Sequence, residues 1–173
     1  AVSKRFNPQD ALLSNKYKTI EELPKGAVVG TTSLRRRMAI KMLRPDIELK
    51  DLRGNINTRI AKLNAGEYDA IILAATGIEK LHLQNEVKYF TPISTDVMIP
   101  SMGQATLGIE TTNDSKIIEI VKVLNDKNAQ IESTIERGFV DTLQGGCQVP
   151  IGVKATIQDE KSVKISAIVG LPD

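Results

Sequence analysis

Residues 27–36 read Ala27-Val28-Val29-Gly30-Thr31-Thr32-Ser33-Leu34-Arg35-Arg36, and the fold turns on them. Ala27-Val28-Val29 is a short apolar run suited to a buried strand. Ser33 is a natural N-cap, so a helix starts at Leu34 with Arg35 and Arg36 in its first turn. Cations there face the positive end of the helix dipole and cost roughly a few tenths of a kcal/mol each. Free N–H groups, three hydroxyls and guanidinium groups at one helix start compose an anion site. A solvated basic helix is the plainer alternative.

Downstream the pattern repeats. A second strand is expected over 47–52, and Ile56, Ile60 and Leu63 then recur at helical spacing before Gly66 as a C-cap. Ala70-Ile71-Ile72-Leu73-Ala74 is apolar throughout, as in a parallel strand covered on both faces, and Ala75-Thr76-Gly77 opens a short helix. Repeated βα units place these turns at one sheet edge, where ligands of open α/β sheets bind. Residues 1–25 read as an entry linker and surface layer with a short helical segment near 19–23. Pro92, Pro100 and Gly103 mark a crossing over 92–104. Beyond it a strand is expected at 105–111 and a helix at 115–124 with Ile117, Ile118, Ile120, Val121 and Leu124 inward. One strand and one helix cannot bury their own apolar face, so this segment should belong to a larger domain. A helix over 128–143 and strands near 150–157 and 163–170 complete the pattern. Leu171-Pro172-Asp173 reads as the start of a hairpin turn, so the C-terminus looks cut.

Composition narrows the function classes. Hydrophobic residues at 41% and charged residues at 25% describe a folded, soluble chain. The net charge of +2 does not indicate a wholesale nucleic-acid or membrane-surface role. Between Ser33 and Asn64, however, nine Lys or Arg face three acids, so positive charge gathers at the strand-to-helix turns. Aromatics at 3%, without Trp, leave few stacking platforms for single-stranded nucleic acid. No apolar run approaches the roughly 20 residues of a membrane span. A single cysteine excludes an internal disulfide and fits a reducing compartment. His82 and Cys147 alone offer no zinc spacing, so no metal site is expected, and His82 reads as an exposed helix-end residue.

Three constellations could carry chemistry. Arg35, Arg36, Arg53 and Arg59 come from adjacent turns, and four guanidinium groups together would repel one another unless a polyanion sat between them. Separate surface arginines are the alternative. In Gly145-Gly146-Cys147-Gln148-Val149-Pro150, the cysteine is either a small buried hydrophobe or a nucleophile or attachment point. Ile99-Pro100-Ser101-Met102-Gly103-Gln104-Ala105 is either a hinge or an ordinary connecting loop.

Four stretches taken in order resemble the hydroxymethylbilane synthases, also called porphobilinogen deaminases. They are Val29-Gly30-Thr31-Thr32-Ser33-Leu34-Arg35-Arg36, Leu52-Arg53-Gly54-Asn55-Ile56-Asn57-Thr58-Arg59, residues 66–74, and Gly145-Gly146-Cys147-Gln148-Val149-Pro150-Ile151-Gly152. The resemblance covers essentially the whole chain and looks like a member truncated at both ends. It implies an α/β enzyme of three domains, the first two resembling the lobes of periplasmic-type binding proteins. Members join four porphobilinogen molecules into linear hydroxymethylbilane, losing ammonia at each step of haem and tetrapyrrole synthesis. By the same resemblance, Cys147 would carry a dipyrromethane cofactor in thioether linkage. Thr31, Ser33, Arg35, Arg36, Arg53 and Gly54 would bind that cofactor, and Arg59 and Lys80 the substrate. Lys80 stands where the family has arginine, keeping the charge and losing the fork. Ala105 stands for the usual glycine and Thr32 for the usual serine.

No acid of this chain matches the family's catalytic aspartate, which belongs to a preceding portion. The piece alone is therefore expected to be inactive and without cofactor. The implied domains are 1–8 as a linker from domain 1, 9–98 as domain 2, 99–124 as hinge and return into domain 1, and 125–173 as part of an α+β domain 3. The full enzyme is expected to be a cytoplasmic monomer without nucleic-acid or membrane partners. The competing reading is a non-catalytic lobe for polycarboxylates or phosphates, which leaves the Gly-Gly-Cys loop without purpose.

Overall fold

The computed structural model describes residues 1–144 and 149–171. Cys147 and the expected turn at Pro172-Asp173 lie outside the described residues.

The larger body is a five-stranded mixed sheet flanked by helices. Its elements are β1 (Asp10–Ser14), β2 (Val28–Gly30), α1 (Leu34–Leu43), β3 (Glu48–Lys50), α2 (Ile56–Asn64), β4 (Ala70–Ala74), α3 (Ala75–Lys80) and β5 (Tyr89–Ile93). The strand order is β3-β2-β4-β1-β5. β2 runs parallel to β3 and β4, as the βα pattern predicts, while β1 runs antiparallel to β4 and β5. Alternation along the strands feeds two apolar layers. Leu12, Val29, Ala70 and Ile72 pack with Ile40 and Ile47 on one face. Ala11, Leu13, Ile71 and Leu73 pack with Leu52, Ile60, Leu63 and Ile78 on the other.

Several expectations need correction. The first 25 residues are not merely a linker: β1 is buried at all five positions in the sheet's interior. Asp10 and Ser14 disguise it, since they flank only three apolar residues. Both find partners inside, Ser14 Oγ donating to the Asp69 carbonyl at 2.6 Å. Residues 19–23 form turns rather than a helix, although Ile20 and Leu23 reach the core. Pro92 does not open a crossing; it lies inside β5, an edge strand of the sheet, where a missing N–H is tolerated. β3 is shorter than expected, though Ile47 and Leu52 beside it are fully buried.

Residues 105–111 do not form a strand. They run beside the chain start through one bridge, Val2 with Gly108, and through Ser3 N to Leu107 O at 2.9 Å and Phe6 N to Ala105 O at 2.8 Å. α4 (Ser115–Lys122) ends earlier than expected and has no buried residue. Its apolar side chains were expected to point inward, but among the described residues Ile117, Ile118, Ile120 and Leu124 are exposed. Nothing in the segment covers them, which is the physical reason for the difference.

The smaller body is α5 (Lys127–Thr142) packed on an antiparallel hairpin, β6 (Ile151–Ile157) and β7 (Val163–Val169). Val140, Ile151 and Val153 form its apolar centre. Gly152 admits the crossing segment closely, because a Cβ there would lie 2.7 Å from the Ile99 carbonyl oxygen.

Candidate anion site at the carboxyl edge of the sheet

The turns after β2, β3 and β4 converge on one cleft of ≈ 580 Å³. Arg36 comes from the first turn of α1, Gly54 and Arg59 from the turn and helix after β3, and Ala74 and Gly77 from the β4–α3 junction. Gly54 has φ +119°, a conformation that favours glycine, and this lets the loop fold back onto α2. Its carbonyl accepts from Arg59 Nε at 2.7 Å, which fixes that side chain beside the cleft. Thr32 ties two of the turns together: its Oγ1 donates to Leu52 O at 2.7 Å and accepts from Leu52 N at 3.2 Å. Among the described residues the lining holds two guanidinium groups and no carboxylate or imidazole. This cleft is equipped to hold an anion.

The residue that sequence reading missed is Asp10. It is fully buried at the start of β1. Arg35 Nη1 donates to its Oδ2 at 2.7 Å, and Arg36 reaches its Oδ1 from Nε at 2.9 Å and from Nη2 at 2.7 Å. Antiparallel pairing of Asp10 with Ala74 explains the meeting, because the first residue of β1 then lies at the edge where β4 ends. The repulsion between adjacent arginines is thus offset by an internal carboxylate rather than left wholly for a ligand. Burial lowers the Arg36 pKa most; Asp10 opposes that shift, and the positive charges of Arg35 and Arg59 add to it. An arginine so placed remains charged. The only sequence signal for Asp10 is one acid directly before Ala11-Leu12-Leu13.

The remaining expected site residues divide. Arg35 turns inward, 5% exposed, and also donates to the Ile99 carbonyl at 2.8 Å. Thr31 is buried at 2% exposure, and its Oγ1 accepts from Ser33 N at 3.3 Å. Ser33 caps α1 by accepting from Arg36 N, as its position predicts. Arg53, expected to join the cluster, is exposed and not in the cleft lining, 3.9 Å from Asp51. Lys80 is not in the cleft lining; its ammonium sits 3.6 Å from the centre of the Phe6 ring. His82 is exposed just past α3, with φ +55°. No group of three or more His, Cys, Asp or Glu able to hold a metal occurs among the described residues.

Comparison with known proteins bears on this geometry. The family model described as "Porphobilinogen deaminase, dipyromethane cofactor binding domain" matches residues 1–119, and "Porphobilinogen deaminase, C-terminal domain" matches residues 130–173. The chain belongs to the porphobilinogen deaminase family. A porphobilinogen deaminase of Aliarcobacter butzleri (strain RM4018) is 82% identical over all 173 residues, and one of Sulfurimonas denitrificans is 58% identical over the same span. Each match covers 55% of the relative, so the chain spans about half the length of these curated relatives. A solved substrate-binding protein of an amino acid ABC transporter superposes with a TM-score of 0.42 at 16% identity, covering 82% of this chain and 62% of that one. Arg36 and Arg59 give this porphobilinogen deaminase family member two guanidinium donors in one cleft.

Proposed function

We propose that this chain is the polycarboxylate-gripping part of a porphobilinogen deaminase whose full length joins four porphobilinogen molecules into hydroxymethylbilane with release of ammonia. The observation that carries the proposal is the convergence of Arg36 and Arg59 on one cleft at the carboxyl edge of the sheet. Each pyrrole of the product bears an acetate and a propionate, so the growing chain is a polyanion suited to guanidinium forks. In this reading residues 9–98 are domain 2, residues 1–8 and 99–124 are linker, hinge and return, and residues 125–173 belong to domain 3.

Arg36, Gly54 and Arg59 would hold the dipyrromethane group and incoming substrate, and Cys147 would attach the cofactor. When bound, that group supplies the primer from which the bilane is extended. Thr31 and Ser33 contribute by shaping the turn that presents Arg36. Arg35 supports the same turn from inside. Arg53 and Lys80 contact carboxylates once they leave Asp51 and Phe6. No acid of this sequence matches the family's catalytic aspartate, so the 173 residues alone are expected to produce no bilane from porphobilinogen. The proposed setting is the cytoplasm, with the full protein a monomer that binds neither nucleic acid nor membrane. No helix among the described residues is long and apolar enough to cross a membrane.

Intact mass of the full-length protein tests the proposal. A dipyrrole adduct that disappears in Cys147→Ser supports it. An unmodified wild-type mass refutes it and favours a non-catalytic lobe for polycarboxylates or phosphates.

A further inference from the structure

We infer that Asp10 is a positioning residue of the anion cleft: it holds Arg36 so that one edge of its guanidinium serves the ligand. The inference rests on the polycarboxylate reading above. Asp10 is fully buried and receives Arg35 on one oxygen and Arg36 on the other, with Gln104 Nε2 also donating to Oδ1 at 3.2 Å. Arg35 is committed to this interior, since its Nη1 also reaches Ile99 O at 2.8 Å and its Nη2 reaches Gln104 Oε1 at 3.4 Å. Arg36 gives Nε and Nη2 to Asp10, while Nη1 makes only a long 3.4 Å bond to Ile72 O. Arg36 lines the cleft and Arg35 does not. The same carboxylate therefore divides two consecutive arginines into a brace and a reader. One hydrogen bond from Nε and a 2.7 Å ion-pair contact from Nη2, both to Oδ1 of a buried carboxylate, leave that planar group little freedom to turn away.

The sign of one substitution separates this role from simple charge. A carboxylate beside an anion site lowers the local potential, so neutralising it while Arg36 stayed in place would tighten anion binding. Loss of positioning weakens binding instead. Benzene-1,2,4,5-tetracarboxylate is titrated calorimetrically into the whole chain at fixed ionic strength. Asp10→Asn is expected to weaken binding about tenfold, the order of a lost hydrogen bond to a charged group. In an Arg36→Gln background the same substitution is expected to change nothing further, whereas a general structural defect would weaken both.

If wild type binds and Arg36→Gln weakens it, but Asp10→Asn binds equally or more tightly, the Asp10 inference is overturned and the cleft reading stands. If wild type does not bind, or Arg36→Gln and Arg59→Gln leave its affinity unchanged, the cleft reading fails and takes the inference with it. Should Asp10→Asn not fold, hydrogen exchange of the Arg36 Nε–H in wild type decides. Protection well beyond a free arginine supports the inference, and exchange at the free rate overturns it.

Discussion

Arg5 and Glu136, 131 residues apart in sequence, close a two-bond ion pair at 2.6 and 3.0 Å. Glu136 is fully buried in α5. Its oxygens also accept from Gly103 N at 2.7 Å and Ala155 N at 2.8 Å, so one carboxylate joins the chain start, the crossing segment, α5 and β6. Gln104 links this pair to the anion site: its carbonyl accepts from Arg5 Nε at 3.1 Å, while its side chain donates to Asp10.

Removing the carboxylate should therefore be costly. Glu136→Ala removes the hydrogen-bond acceptor of both Arg5 Nη groups and of two backbone N–H groups, and is expected to cost about 3–5 kcal/mol in urea unfolding. Adding Arg5→Met to it should cost much less than the sum of the two single changes. Strict additivity would show that the pair is not coupled.

Ala105 has φ +70°, in the left-handed region that favours glycine. The penalty for a side chain there is roughly 1–2 kcal/mol, partly offset because glycine loses more freedom on folding. Ala105→Gly is thus expected to stabilise by about 0.5–1 kcal/mol, read as a small rise in Tm. A fall in Tm would contradict the backbone assignment.

Asp46 is held at a pKa of about 2, chiefly by its hydrogen bond from Arg44, whose guanidinium approaches to 2.7 Å. Its folded value is depressed below the unfolded one near 3.8. The stabilisation it gives is therefore complete above pH 3.8 and is lost as pH falls through about 2. Asp46→Asn should flatten the acid limb of the stability curve within that window and leave the slope near pH 7 unchanged. An NMR titration placing Asp46 near its ordinary value would refute the pairing.

The Lys80 ammonium over the Phe6 ring should be worth about 0.5–1 kcal/mol. A double-mutant cycle of Lys80→Met and Phe6→Leu is expected to return a coupling of that size. A coupling indistinguishable from zero would mean that Lys80 is free to serve the cleft without first breaking a contact.

What the sequence shows and hides follows from range. The three parallel strands and the helices after them are legible because each is set by local periodicity, a cap or a glycine, as with Ser33 before α1. β1 is not, because Asp10 and Ser14 look exposed until partners 26 and 55 residues away satisfy them. β5 is hidden by Pro92, which an edge position tolerates. Within the site, spacing points to Arg36 and Arg59 but does not show that Arg35 turns inward and Arg53 stays outside the cleft lining. The division of labour between Arg35 and Arg36 is hidden because it depends on an antiparallel strand arriving at the same edge. Glu136 reads as one more polar position of α5 until the crossing segment and β6 close over it.

The most direct test of the central claim follows the 15N resonances of arginine Nε groups while porphobilinogen is titrated into the chain. Arg36 and Arg59 are predicted to shift together and saturate at one common affinity, with both responses lost in Arg59→Gln. Unchanged Arg36 and Arg59 signals at saturating ligand, or shifts confined to exposed arginines such as Arg53, would contradict the account.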